Sequence, residues 1–81
     1  MERVALREMI IEELINIAPD VEADEVPDDE DLRDALDLDS MDFMRLVAAV
    51  HKRTGLEIPE ADYRKVLELD QMLDYLVAKA S

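Results

Sequence analysis

No cysteine occurs in the chain, so neither a disulfide staple nor a thiolate site is available to it. There is one histidine, His51, and one glycine, Gly55, which leaves no glycine-rich phosphate loop. No apolar run approaches the roughly 18 residues of a membrane-spanning helix. The N-terminus alternates charged and apolar residues, unlike an export signal. Positive charge is scarce: 9 Lys and Arg stand against 22 Asp and Glu, for a net charge of −13. That balance argues against nucleic acid and anionic membranes as partners, because phosphate binding needs Lys and Arg. It favours basic proteins, drawn in by long-range attraction. Without an export signal or disulfides, the cytoplasm is the expected location, and a monomer is the expected state.

What is present is apolar enough to fold. Hydrophobic residues make up 49% of the 81, too many for a disordered acidic tail. The length suits one small domain over residues 1–81 with a single core. Leu6, Ile10, Leu14 and Ile17 recur at steps of four, four and three, which is one face of an amphipathic helix. Ile11 and Ile15 widen that stripe, and Glu2, Arg7, Glu8, Glu12 and Glu13 lie outside it. Pro19 ends the helix, since the residue before a proline disfavours helical dihedrals.

From Asp20 to Leu38 the chain is acidic and irregular, with Pro27 and the run Asp28-Asp29-Glu30-Asp31 suited to a solvated loop. Val21, Val26, Leu32 and Leu36 recur in it and are expected to pin it to the core, with a short helical turn around residues 31–36. A helix then runs from about Ser40 to Arg53. Asp39 and Ser40 are both competent N-cap residues, and Asp42 favours the first turn. Phe43, Met44, Leu46, Val47 and Val50 cover more than one face, which suggests a surface reserved for something besides the core. Gly55 stops this helix after Lys52 and Arg53, whose charges suit a C-terminus. Leu56-Glu57-Ile58-Pro59 reads as an extended connector, and residues 60–67 as a short helix with Tyr63, Val66 and Leu67 inward. Asp70 is expected to cap a last helix that turns Leu73, Leu76 and Val77 inward and ends near Lys79. No strand-like alternation survives counting, so the fold class is all-α.

Ser40 is the first candidate to weigh for chemistry. A nucleophilic serine needs a base and an oxyanion hole. His51 lies eleven residues on, about three helical turns away, and there is no Gly-x-Ser-x-Gly elbow. Serine hydrolysis is thereby excluded, and no catalytic residue is assigned. Asp37, Asp39 and Asp42 miss the spacing, glycine and terminal glutamate of a calcium loop, so no metal site is assigned beyond weak divalent binding. His51 reads as a surface helix residue. On local features alone Ser40 is equally a plain helix cap.

The wider layout distinguishes these readings. Leu36-Asp37-Leu38-Asp39-Ser40-Met41-Asp42-Phe43-Met44, preceded by a long acidic loop and followed by Ile58-Pro59-Glu60 and Asp74-Tyr75-Leu76, resembles the acyl carrier protein family over nearly the whole chain. The resemblance implies a four-helix bundle with a short third helix and a long loop between helices one and two. It implies that Ser40 carries covalent 4′-phosphopantetheine, added by a separate phosphopantetheinyl transferase, and that the arm's thiol bears an acyl group for acyl-loading and acyl-processing enzymes. Asp39, Met41 and Met44 become the expected recognition surface, and Arg45 a further partner contact or a counter-ion of Asp39 or Asp42. Room for an acyl chain between the second and third helices would draw on Met44, Leu46, Val47 and Val50, with Ile58, Ala61 and Val66. Methionine, adaptable in shape, makes Met44 the foremost of these. A phosphodiester on Ser40 would meet the favourable helix N-terminus but also the repulsion of Asp39 and Asp42, so the arm is expected to be loosely held there.

The chain departs from the family where its central helix carries Arg45, His51, Lys52 and Arg53, and where Phe43 is larger than a surface position needs. These features point towards a specialised pathway as an alternative to fatty acid or lipid synthesis. A peptidyl or D-alanyl carrier is a variant of the same reading. An unmodified acidic helical adaptor for basic proteins is the reading from another class.

A charge of −13 on so small a chain destabilises the compact state by self-repulsion. Added salt or divalent cations are therefore expected to raise the melting temperature. A melting temperature flat across that titration would refute the repulsion argument.

Overall fold

The apolar stripe of the first helix is the surface on which the rest of the chain assembles. A computed structural model describes residues 2–80, so Met1 and Ser81, the ends of the expected domain, lie outside the described residues. Helix α1 (Arg3–Ile17) buries Leu6, Met9, Ile10, Ile11 and Leu14 and packs against both α3 (Ser40–Thr54) and α4 (Leu69–Ala80). A one-turn helix, α2 (Leu32–Ala35), and two 3-10 segments, Ala23–Glu25 and Glu60–Lys65, occupy the connections. The described residues contain no strand, only an isolated bridge between Asp31 and Glu68. The architecture is the expected all-α arrangement, with the long loop between the first two long helices. Among the described residues no helix is long and apolar enough to cross a membrane.

The core takes buried apolar residues from every long helix, with Leu46, Val50, Leu69, Met72 and Leu76 fully enclosed alongside Leu6 and Ile10. Phe43 is 3% exposed, so its size serves the core and not a partner surface. Its ring meets Tyr63 edge-on at 5.9 Å between centroids, joining the start of α3 to the second 3-10 segment. Gly55 takes the left-handed conformation (φ 74°) and its N–H donates to the His51 carbonyl at 2.7 Å, closing α3. Arg53 reaches back to Glu12 and Glu13 of α1, each at 3.2 Å, so it links two helices as well as suiting a C-terminus.

The acidic loop is pinned as its apolar spacing implies: Val26, Leu32 and Leu38 are buried, while Val21 and Leu36 pack at the core margin. Backbone bonds add to this. The Leu32 N–H donates to the Leu67 carbonyl and the Asp70 N–H to the Asp28 carbonyl, both at 2.9 Å. A radius of gyration of 11.4 Å confirms that the loop folds back onto the bundle, since a compact chain of this length has a value of about 12 Å.

Three expectations change. The segment after Pro59 is a 3-10 coil over Glu60–Lys65 and not an α-helix to residue 67. A 3-10 coil rises about 2.0 Å per residue against about 1.5 Å, so it reaches further between the buried anchors Ile58 and Val66. The last helix begins at Leu69, so Asp70 lies inside it. Glu68 is the residue before the helix; it accepts from the Met72 N–H, and its own N–H donates to the Gln71 side chain at 3.4 Å. The bridge to Asp31 and the burial of Leu69 set this earlier start. Val77 is 36% exposed, one step round the helix from buried Leu76.

The 3-10 segment is held to α4 by the Tyr75 hydroxyl, which donates to Asp62 at 2.6 Å. That bond, then the neighbouring Lys65, holds the Asp62 carboxyl below the ordinary value of 3.8. A depressed acid contributes stability above its unfolded pKa, and the contribution is lost as pH falls through the folded one. The melting-temperature difference between wild type and Tyr75→Phe should therefore be constant above about pH 5 and shrink as pH drops below the ordinary aspartate range. A difference that is unchanged down to pH 2 would show that the bond to ionised Asp62 contributes nothing.

Candidate functional site

Ser40 is the first residue of α3, and two buried side chains set where it points. Leu38 just before and Phe43 just after are both sunk in the core. The turn between them, Asp39-Ser40-Met41, is left facing solvent. Met41 is 58% and Met44 49% exposed, large apolar side chains on the same end of α3 as the serine.

Asp39, not Ser40, is the cap. Its extended backbone (φ −85°, ψ 177°) starts the helix, and its carboxylate accepts from the Asp42 N–H at 2.8 Å. Asp42 reciprocates, accepting from the Asp39 N–H at 3.3 Å. This capping box uses two acidic side chains on the helix backbone. It also releases Ser40 from the capping role: its hydroxyl makes no hydrogen bond among the described residues, and Ser40 is exposed. The plain-cap alternative therefore does not account for this serine.

Ser40 opens onto a cleft of about 590 Å³ between α3, α2 and the 3-10 segment. Phe43, Met44, Tyr63 and Leu67 form its apolar part, and Arg33, Glu60 and Arg64 its charged rim. Met44 thus lies where the sequence places it. Leu46, Val50 and Val66 are fully buried in the core and do not line the cleft, Val47 and Ile58 are also buried away from it, and Ala61 is exposed elsewhere. These side chains pack in the core, and the space beside the serine is an open cleft lined by other residues.

Arg33 and Arg64 went unremarked in the sequence because nothing in their spacing ties them to Ser40; only the fold brings loop and 3-10 segment to the same rim. Arg33 is held by Asp31 through bonds of 3.2 and 3.0 Å, which keep that carboxyl below its ordinary range and raise the guanidinium. Arg45 is weakly engaged, 3.8 Å from Asp42 and largely exposed. His51 is exposed on α3, about 16 Å along the axis from Ser40, too far to act as its base. Asp37, Asp39 and Asp42 do not converge as ligands. The acidic side chains that do gather among the described residues, Glu22, Asp24 and Glu25, are all exposed.

A family model described as a phosphopantetheine attachment site matches residues 5–76. The chain belongs to the acyl carrier protein family. It is 30% identical to an acyl carrier protein of Rubrobacter xylanophilus, over 88% of this chain and 91% of that one. It is equally 30% identical to an acyl carrier protein of Campylobacter hominis, over 88% and 84%. An acyl carrier protein of Chloroherpeton thalassium is 29% identical over 69% and 70%. No solved structure gives a significant match. The chain is accordingly a carrier and not an enzyme, and the cofactor of its family is phosphopantetheine. An exposed serine hydroxyl beside an open cleft fits such a group: the oxygen is accessible, and no hydrogen bond among the described residues competes for it.

Removing the cap tests how α3 is seated. Asp39→Ala is expected to lower stability by about 0.5–2 kcal/mol, measured by denaturant unfolding. No loss would mean that the capping box contributes nothing to holding the serine's turn.

Proposed function

We propose that Ser40 is the attachment residue for 4′-phosphopantetheine and that the chain carries acyl groups for partner enzymes. The observation that carries this reading is the position of Ser40: first in α3, released from capping by Asp39, and exposed between two buried anchors. When attached, the group supplies a thiol that bears the cargo as a thioester. The chain's own part is presentation. Asp39 and Asp42 keep the start of α3 wound, so the serine is offered on a rigid element. Met41 and Met44 offer adaptable apolar contacts to enzymes that dock beside it, and Arg45 adds a charge to that surface. The apolar wall of Phe43, Met44, Tyr63 and Leu67 shelters part of an acyl chain, each buried methylene contributing about 0.8 kcal/mol.

The partners are a phosphopantetheinyl transferase and acyl-loading and acyl-processing enzymes. The carrier acts as a cytoplasmic monomer. Its exposed α3 charges are basic, Arg45, Lys52 and Arg53, with Asp42 the one acid of the helix and half-buried. That basic stretch on an otherwise acidic chain favours dedicated partners of a specialised pathway over general fatty acid synthesis, since it would repel a basic partner surface.

Incubation or co-expression with a phosphopantetheinyl transferase, read by intact mass, tests the proposal. A gain of one phosphopantetheine, absent in Ser40→Ala, is the expected result. An unmodified protein, or a gain that persists in Ser40→Ala, refutes it.

A further inference from the structure

We propose that Arg64 is the counter-ion of the phosphodiester on Ser40 and holds the near end of the arm across the cleft. This rests on Ser40 being the attachment residue. Ser40 and Arg64 line the same cleft, from opposite elements. The chain has six arginines and 22 acidic residues, so every guanidinium should find a carboxylate. Among the described residues, Arg3, Arg7, Arg33, Arg45 and Arg53 each do, at 2.6 to 3.8 Å. Arg64 does not.

The winding of its segment explains why. In an α-helix, Glu60 and Arg64 would be neighbours four residues apart, with the acid on the favourable N-terminal side. In a 3-10 coil residues three apart superimpose, and a residue four on is turned away by about 120°. The observed pairing follows that rule: Asp62 takes Lys65, three residues on, at 3.4 Å. Glu60 and Arg64 share the rim without pairing. The second guanidinium on the rim, Arg33, is already neutralised by Asp31. Asp39 and Asp42, the carboxylates nearest to Ser40 in sequence, bond to the backbone of the helix start. The cleft beside the serine therefore has one cation without a partner, and guanidinium binds phosphate oxygens through paired, charge-assisted N–H donors. Carboxylates alone would leave the arm loose; Arg64 gives it a resting position along the apolar wall of Phe43, Met44 and Leu67.

The test uses full-length protein carrying the arm, with intact mass confirming a single addition on Ser40. The phosphorus-31 resonance of the phosphodiester is followed through a salt titration in wild type, Arg64→Gln and Arg45→Gln. All three should keep the same amide spectrum away from the substitution, because both side chains are exposed. The expected result is a salt-dependent shift in wild type and Arg45→Gln that is lost in Arg64→Gln. Identical titrations in wild type and Arg64→Gln, with the arm in place, overturn the role of Arg64 and leave Ser40 as the attachment residue. A slower attachment in Arg64→Gln with an unchanged resonance also overturns it, by assigning Arg64 to transferase docking. Failure to gain the arm overturns both readings.

Discussion

The burial of Leu38 and Phe43 on either side of Asp39-Ser40-Met41 is the constraint from which the site follows. Two apolar anchors five residues apart fix both ends of the turn to the core. The three residues between the anchors that lie nearest the serine cannot also enter it, so they face water. Phe43 extends the effect by its edge-on contact with Tyr63, which brings the 3-10 segment and its charged rim alongside the serine. The serine is exposed because its neighbours are buried, and it lies beside a cleft because one of those neighbours is aromatic.

Acidity is managed by assigning many carboxylates a local task. Asp39 and Asp42 close the backbone of a helix start, Asp62 accepts from Tyr75, and Asp31 holds Arg33. Arg3, Arg7 and Arg53 tie α1 to α4, to the acidic loop and to α3. These pairs are exposed and screened by solvent, so each contributes little to stability. Their value is to orient elements that a small apolar core already holds together. The surplus of negative charge stays at the surface, with no charged residue buried among the described residues.

The long helices were legible because their signals are local. The 3.6-residue apolar period marks α1, Gly55 stops α3, and Asp39 with Asp42 at N3 marks its start. The acidic loop was legible only through its apolar residues; the bonds from Leu32 to Leu67 and from Asp70 to Asp28 join backbone atoms far apart in sequence and leave no pattern in it. The start of α4 was misplaced for the same reason, since contact with Asp31 settles it at Glu68. Phe43 resembled an oversized surface residue because the helical stripe is broad there, and only packing assigns it to the core.

By itself the sequence determined that a serine would stand at the start of an apolar helix, next to competent caps, in a chain without the base, thiol or glycine loop for catalysis. Those are matters of residue type and short spacing. The tertiary structure decided which residue caps the helix, what lies opposite the serine, and which charge is left without a partner. The distance between the buried anchors Ile58 and Val66 is bridged by a 3-10 coil instead of an α-helix. That change of winding turns Arg64 away from Glu60 and leaves it on the rim beside Ser40.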